Sequence, residues 1–382
     1  MKYLFILGRN VELSIAEIKS FLEREKINFK IISKISNGIL IETENLQRVL
    51  PSSSNQIKEK NLKGIIEKLG GTISIGEVLT EGTPEKVSKE LDKITLYSGK
   101  ENKLNYVVFN FHGKYYIDIL IYLKQRFREE KLKATEKKIT GNIKLQSGEL
   151  VPNLTSKLIG EKYFVFEDCF GKIIETVDYE KIEKRDMEKP VRREELSISP
   201  RLAKIMINLS KVKEGETLLD PFCGIGVVLQ EALLQNIKVI GVDIDKEAVK
   251  NAKLNLEWFK FPKENYQLIN EDSSKIKIPK VQAIATEPDL GELQKKIPSL
   301  QKAEEIVNGF EKLIIKIINN LKKNVEGRIV FTAPLVRTGK NKIECDFNRI
   351  SSSTGLKIAK GFPIPEFRED SIVGRSIVVL EK

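Results

Sequence analysis

Four acids in the carboxyl-terminal half each stand where an apolar run stops. Asp220 follows Thr217-Leu218-Leu219, Asp243 follows Val239-Ile240-Gly241-Val242, Asp272 follows a third run, and Glu287 follows Ala283-Ile284-Ala285-Thr286. Helical patterns separate these runs, so they read as parallel strands, and such sheets bind ligands beyond the carboxyl ends of their strands. Asp220 opens the turn Asp220-Pro221-Phe222-Cys223-Gly224-Ile225-Gly226, whose two glycines allow a sharp bend and a close approach of backbone to ligand. Asp243 comes 23 residues later, where a carboxylate can accept hydrogen bonds from both hydroxyls of a ribose. An adenosine derivative is therefore expected. The turn has neither the third glycine of a dinucleotide fingerprint nor the lysine of a phosphate loop, so a pyrophosphate has no cradle. A carboxylate at the head of the loop suits a cation, which points to S-adenosylmethionine.

On this reading Asp220 sits nearest the methionine end, Asp243 the ribose and Asp272 the adenine amino group, with Phe222, Cys223, Gly224, Gly226, Ile244 and Ser273 as further candidate cofactor-binding residues. Each acid alone has a plainer role as a helix N-cap; four at successive strand ends are harder to explain that way. Methyl transfer to nitrogen is an in-line displacement that needs alignment and stabilisation of charge on the acceptor. Glu287, Pro288 and Asp289 are the candidate catalytic segment, with a carboxylate and a proline-constrained carbonyl to accept the two N–H groups of an exocyclic base amine. No metal is needed. The single histidine, His112, and three scattered cysteines argue against imidazole relays, zinc sites and a disulfide framework.

The elements that must hold these residues begin at Ser199-Pro200, a helix start, and run as alternating strands and helices to a closing strand over Arg375 to Leu380. This predicts a seven-strand Rossmann-like sheet over residues 196–382, with Trp258 in its core. Residues 1–100 follow a ferredoxin-like order, with Ser14 and Glu17 as a capping box; 101–177 form a second α+β module, and 178–195 a charged linker.

A formal net charge of +11 favours a polyanionic partner, although a lysine-rich composition could produce it without one. Lys124, Arg126 and Arg128 on a helix from Tyr116, and Arg185, Arg192 and Arg193 in the linker, are the candidate RNA contacts. A solvated basic face is the competing reading. No long apolar run is present, so a cytoplasmic protein unattached to membrane is expected; the oligomeric state is left open, with a monomer favoured.

Arg185-Asp186-Met187 with Pro190, the run Ser199 to Leu209, the 218–227 and 239–245 segments, and the closing Val373 to Leu380 resemble the THUMP-domain tRNA N2-methylguanosine methyltransferases, the guanosine-10 type above all. The resemblance extends to Leu69-Gly70-Gly71-Thr72. It implies a ferredoxin-like and a THUMP domain that grips tRNA, ahead of a Rossmann-like domain using S-adenosylmethionine. The family's catalytic loop is Asp/Asn-Pro-Pro-Tyr/Phe; here it is Glu287-Pro288-Asp289-Leu290, with a longer acid and no stacking ring. An amino-methyltransferase for DNA or another RNA, and an RNA-binding protein that keeps the cofactor fold without catalysis, are the rival readings.

Overall fold

The computed structural model describes residues 1–8, 10–44, 46, 64–138, 142–144, 150–152, 159–192, 198–291, 296–367 and 371–382. It has two compact units, residues 1–11 with 27–184, and residues 12–26 with 185–382.

The first unit is built on an eight-stranded sheet. In chain order its elements are β1 (Lys2–Leu7), β2 (Phe29–Ile35), β3 (Gly38–Thr43), β4 (Thr72–Glu81), β5 (Lys103–Gly113), β6 (Lys133–Glu136), a small separate hairpin of β7 (Asn142–Lys144) and β8 (Leu150–Pro152), β9 (Glu161–Glu167) and β10 (Cys169–Thr176). The spatial order is β2-β3-β1-β4-β10-β9-β5-β6. Strands from both sides of residue 100 share this sheet, because β10 pairs with β4 and β9 with β5. An aromatic cluster of Tyr106, Phe127, Tyr163 and Phe170 fills the core on one side.

The helix α1 (Val11–Arg24) groups with the second unit. It starts at Val11, so Ser14 and Glu17 lie inside it and are buried, not joined in a capping box. Glu17 instead accepts a hydrogen bond of 2.7 Å from the Asn208 amide, and Arg24 donates to Asn208 Oδ1 at 3.0 Å. Burial lowers the Arg24 pKa from its ordinary value, against the opposing effect of Glu25 and Glu17.

Four helices follow α1 in the chain before residue 190: α2 (Ile65–Lys68), α3 (Pro84–Leu91), α4 (Tyr116–Glu129) and α5 (Tyr179–Glu188). The last falls within the 178–195 segment read as a charged linker. One of its acids is paired locally: Lys189, almost fully buried, holds Asp186 at 2.5 Å.

The second unit begins with α6 (Pro200–Ser210), where the Ser199 side chain accepts from the Leu202 N–H and Pro200 takes the first helical position. Then come β11 (Thr217–Asp220), α7 (Val227–Leu233), β12 (Lys238–Asp243), α8 (Lys246–Trp258), β13 (Tyr266–Asn270), β14 (Ala283–Thr286), α9 (Leu300–Leu321) and β15 (Ile329–Thr338). The chain closes with β16 (Asn341–Glu344), α10 (Phe347–Thr354), β17 (Lys357–Ile358), β18 (Ile364–Glu366) and β19 (Val373–Glu381). The order β13-β12-β11-β14-β15-β19-β17 is the expected seven-strand sheet, widened by β16 on β15 and β18 on β19. Strands β11 to β15 run parallel, whereas β19 enters antiparallel between β15 and β17. Strand order reverses between β11 and β14, the position where such folds open a binding crevice.

Apolar side chains from α6 and α7 cover one face of this sheet and those of α9 and α10 the other. Trp258, expected in the core, is 40% exposed. The inward stripe of α8 is Ala248, Ala252, Asn255 and Leu256, and Trp258 falls outside it. Among the described residues no helix is long and apolar enough to cross a membrane.

Candidate active site

The turn after β11 is shaped by its own carboxylates. Asp220 is 1% exposed, and its Oδ1 accepts from the Phe222 N–H at 3.1 Å and from the Thr286 hydroxyl at 2.6 Å. Burial pushes its carboxyl up to about 7, against the lowering effect of these two hydrogen bonds. Gly224 and Gly226 have φ of +51° and +86°, a region that costs any L side chain strain. A Cβ on Gly224 would meet no atom within 4 Å, so the bend faces open space. A Cβ on Gly226 would lie 3.3 Å from that of Ala252, where the loop enters α7. Cys223 is buried, and burial pushes its thiol well up, which fits a packed small residue.

Asp243 ends β12 and steadies the same turn. Its Oδ2 accepts from the Gly224 N–H at 2.9 Å and its Oδ1 from the Asp245 N–H at 2.9 Å. Each oxygen retains a further lone pair for a ribose hydroxyl. Ile244 beside it is an apolar side chain left 74% exposed. Asp272 accepts from the Ser274 N–H at 2.8 Å, the bond that contributes most to holding its carboxyl below the usual range. Ser273 is buried, and its hydroxyl donates to the Pro221 carbonyl at 2.7 Å. That bond makes it a brace for the loop.

Glu287 stands one residue beyond β14. Arg375 Nε of β19 donates to its Oε1 at 2.5 Å, and the Thr332 hydroxyl of β15 lies 3.5 Å from the same oxygen. Burial would lower the Arg375 pKa, but Glu287 and then Glu366 outweigh it and the net shift is upward. Both donors use Oε1, and among the described residues none donates to Oε2. Pro288 is buried, while Asp289 is exposed and accepts from the Gly291 N–H at 3.0 Å. Leu290 packs into the core of the second unit.

Sequence reasoning missed the residues that link these parts. Thr286 ties β14 to Asp220 and Arg375 holds Glu287. The Asn270 side-chain amide donates to the Asp243 and Ile244 carbonyls, at 3.0 and 2.9 Å. Asn255 donates to the Ile225 carbonyl at 3.0 Å. Arg375 is 88 positions from Glu287, so no local spacing could reveal it.

The candidate RNA contacts are differently placed. Lys124 pairs with Glu136 at 2.8 Å, and Arg126 with Asp92 and Glu130 at 3.0 and 2.6 Å. The hydrogen bond to Glu130 is the main cause of the raised Arg126 pKa. Arg128 is exposed on the same helix. Arg185 is turned onto the buried Glu231 at 2.5 Å, Arg192 is partly buried, and Arg193 lies outside the described residues.

A parallel sheet with a switch point, a glycine turn without phosphate-binding groups and acids at successive strand ends define a methyltransferase-type α/β protein. A model of the RMKL-like methyltransferase domain matches residues 190–331, and a DNA methylase model matches residues 52–254. The second takes in more than half of the chain, which belongs to this methylase family. A tRNA (guanine(10)-N2)-dimethyltransferase of Methanocaldococcus jannaschii is 34% identical over 223 residues, 55% of this chain and 57% of that protein. A protein of the same name from Methanothermobacter thermautotrophicus is 42% identical over 96 residues, 25% of this chain and 28% of that protein. The chain thus spans about half, or less, of the length of these curated relatives. The solved structure of TrmN from Thermus thermophilus is similar at 12% identity and a TM-score of 0.48, with both chains covered in full. S-adenosylmethionine is the cofactor, and the open space before Gly224, the exposed Ile244 and the spare lone pairs of Asp243 fit it.

Proposed function

We propose that this protein transfers a methyl group from S-adenosylmethionine to the exocyclic N2 amine of a guanosine in tRNA, of the position-10 type. The observation that carries the reading is the Thr286–Asp220 hydrogen bond, which fastens the start of the Glu287 segment to the cofactor turn. Bound S-adenosylmethionine supplies an electrophilic methyl group on sulfur. Asp220 balances the positive charge of its methionine end, and Asp243 holds the ribose. Glu287 Oε2 and the carbonyl next to Pro288 accept the two amine N–H groups, so the nitrogen lone pair is drawn away from the ring, and Glu287 Oε2 takes the proton that the nitrogen sheds as its bond to the methyl group replaces the sulfur–methyl bond. Arg375 keeps the carboxylate oriented while it does so. The tRNA assignment is supported by the names of the relatives; the DNA methylase match supports a base amine in DNA as the second reading.

The test is incubation with labelled S-adenosylmethionine and unmodified total tRNA, with the product nucleoside identified by mass spectrometry and Glu287→Ala run in parallel. N2-methylated guanosine, lost in the variant, is expected. Cofactor binding without any methylated nucleoside would overturn the enzymatic reading, and a methylated DNA base in place of guanosine would overturn the substrate.

A further inference from the structure

Strand β15 continues past the sheet and returns as β16, and this hairpin pairs Arg337 directly opposite Lys342. Like charges facing each other across an antiparallel pair are destabilising, so the pair costs the isolated fold something. Lys340 lies in the turn between them. Among the described residues, no carboxylate holds any of the three in an ion pair. Two of them sit against one aromatic ring: Lys342 Nζ is 4.0 Å and Arg337 Cζ 5.5 Å from the centroid of Phe367. The ring follows β18 and packs so closely on Gly374 that a Cβ there would meet Phe367 Cδ2. Gly374 adjoins Arg375, the residue that grips Glu287. The cations and ring therefore belong to the same edge of the sheet as the candidate active site.

We propose that the β15–β16 hairpin, with Arg337, Lys340 and Lys342 beside Phe367, is a docking surface for the sugar-phosphate backbone of the RNA acceptor. The inference rests on the reading of an RNA substrate given above. Unpaired cations around an aromatic ring offer both things that an unstacked strand presents, phosphate charge and a base face. An anionic strand also relieves the repulsion between Arg337 and Lys342, so the feature that burdens the free protein favours the complex.

The test compares the full-length protein with Arg337→Gln/Lys340→Gln/Lys342→Gln and, separately, Phe367→Leu, in tRNA binding across a salt series. The triple variant is expected to weaken binding at least about tenfold near physiological salt and to flatten the slope of log K against log salt by about two to three. Phe367→Leu should weaken binding severalfold with the slope unchanged, because stacking releases no counterions. Both should keep the wild-type affinity for S-adenosylmethionine, and the triple variant, relieved of the repulsion between Arg337 and Lys342, should melt no lower than the unaltered protein. Unchanged slope in the triple variant, while the unaltered protein still binds and methylates tRNA, would overturn this inference alone. Failure of the unaltered protein to bind tRNA would overturn the underlying reading as well. Tighter binding of duplex DNA, lost in the same variant, would overturn RNA as the occupant.

Discussion

Asp220 carries two roles that conflict near neutral pH. Buried at the root of the cofactor turn, it keeps its proton up to about pH 7, far above the roughly 3.9 of a free aspartate. The sign of the linkage follows: its contribution to stability is full below the unfolded value and is lost as pH rises through about 7. A cationic ligand needs the ionised form, so S-adenosylmethionine affinity should rise about tenfold between pH 6 and 8, by titration calorimetry. Asp220→Asn should abolish that rise, and a pH dependence that survives it would show another group titrating. Gly224→Ala separates backbone strain from ligand exclusion. Strain at positive φ costs on the order of 1–2 kcal/mol, seen as a lower urea midpoint, whereas the methyl group projects into open space and should reduce cofactor affinity more than tenfold. Equal losses in both would mean that the ligand does not approach this bend.

At the scale of elements, the catalytic segment depends on strands distant in sequence. Because β19 runs antiparallel between β15 and β17, its first residues arrive where β14 ends, and Arg375 reaches Glu287. Glu287→Gln should lower kcat by about a hundredfold or more with cofactor affinity unchanged, a loss comparable to removing one preorganised hydrogen-bonding group from a transition state. Arg375→Gln should lower kcat less while leaving KM for tRNA near wild type, and Arg375→Lys should recover part of it. Helix α1 shows the same reliance in a structural setting. Asn208, fully buried on α6, joins Glu17 and Arg24 of α1. Asn208→Ala leaves two buried charged groups short of a partner and should cost about 2–4 kcal/mol in denaturant unfolding. A loss below about 0.5 kcal/mol would mean that water replaces the amide.

For the whole molecule, the grouping of residues 12–26 with residues 185–382 means that the methyltransferase unit is not a contiguous piece of chain. A fragment beginning at residue 185 lacks α1 and leaves Asn208 without Glu17 and Arg24. It should melt well below the full chain, and a peptide of residues 10–26 added in trans should raise its Tm; no response to the peptide would show that α1 is dispensable. The net charge of +11 is likewise distributed unevenly in its availability. Lys124 and Arg126, expected along an RNA backbone, are already compensated by Glu136, Asp92 and Glu130. Replacing both should therefore change the salt slope of tRNA binding by less than the value near two that two free phosphate contacts would give.

The sequence alone determined the local units of the catalytic half: the strands that end in Asp220 and Asp243, the strand that stops just before Glu287, the two-glycine turn and the Ser199-Pro200 helix start. These are set by alternation, capping and φ preference, all of which act over a few residues. Tertiary structure decided what lies between them. The opposing direction of β19, the grip of Arg375 on Glu287, the tie from Thr286 to Asp220, the burial of Glu17 against Asn208 and the exposure of Trp258 each join or separate residues by packing. No periodicity encodes such pairings, because a strand's neighbours and a charge's partner are chosen by which surfaces bury together and which polar groups must then be satisfied.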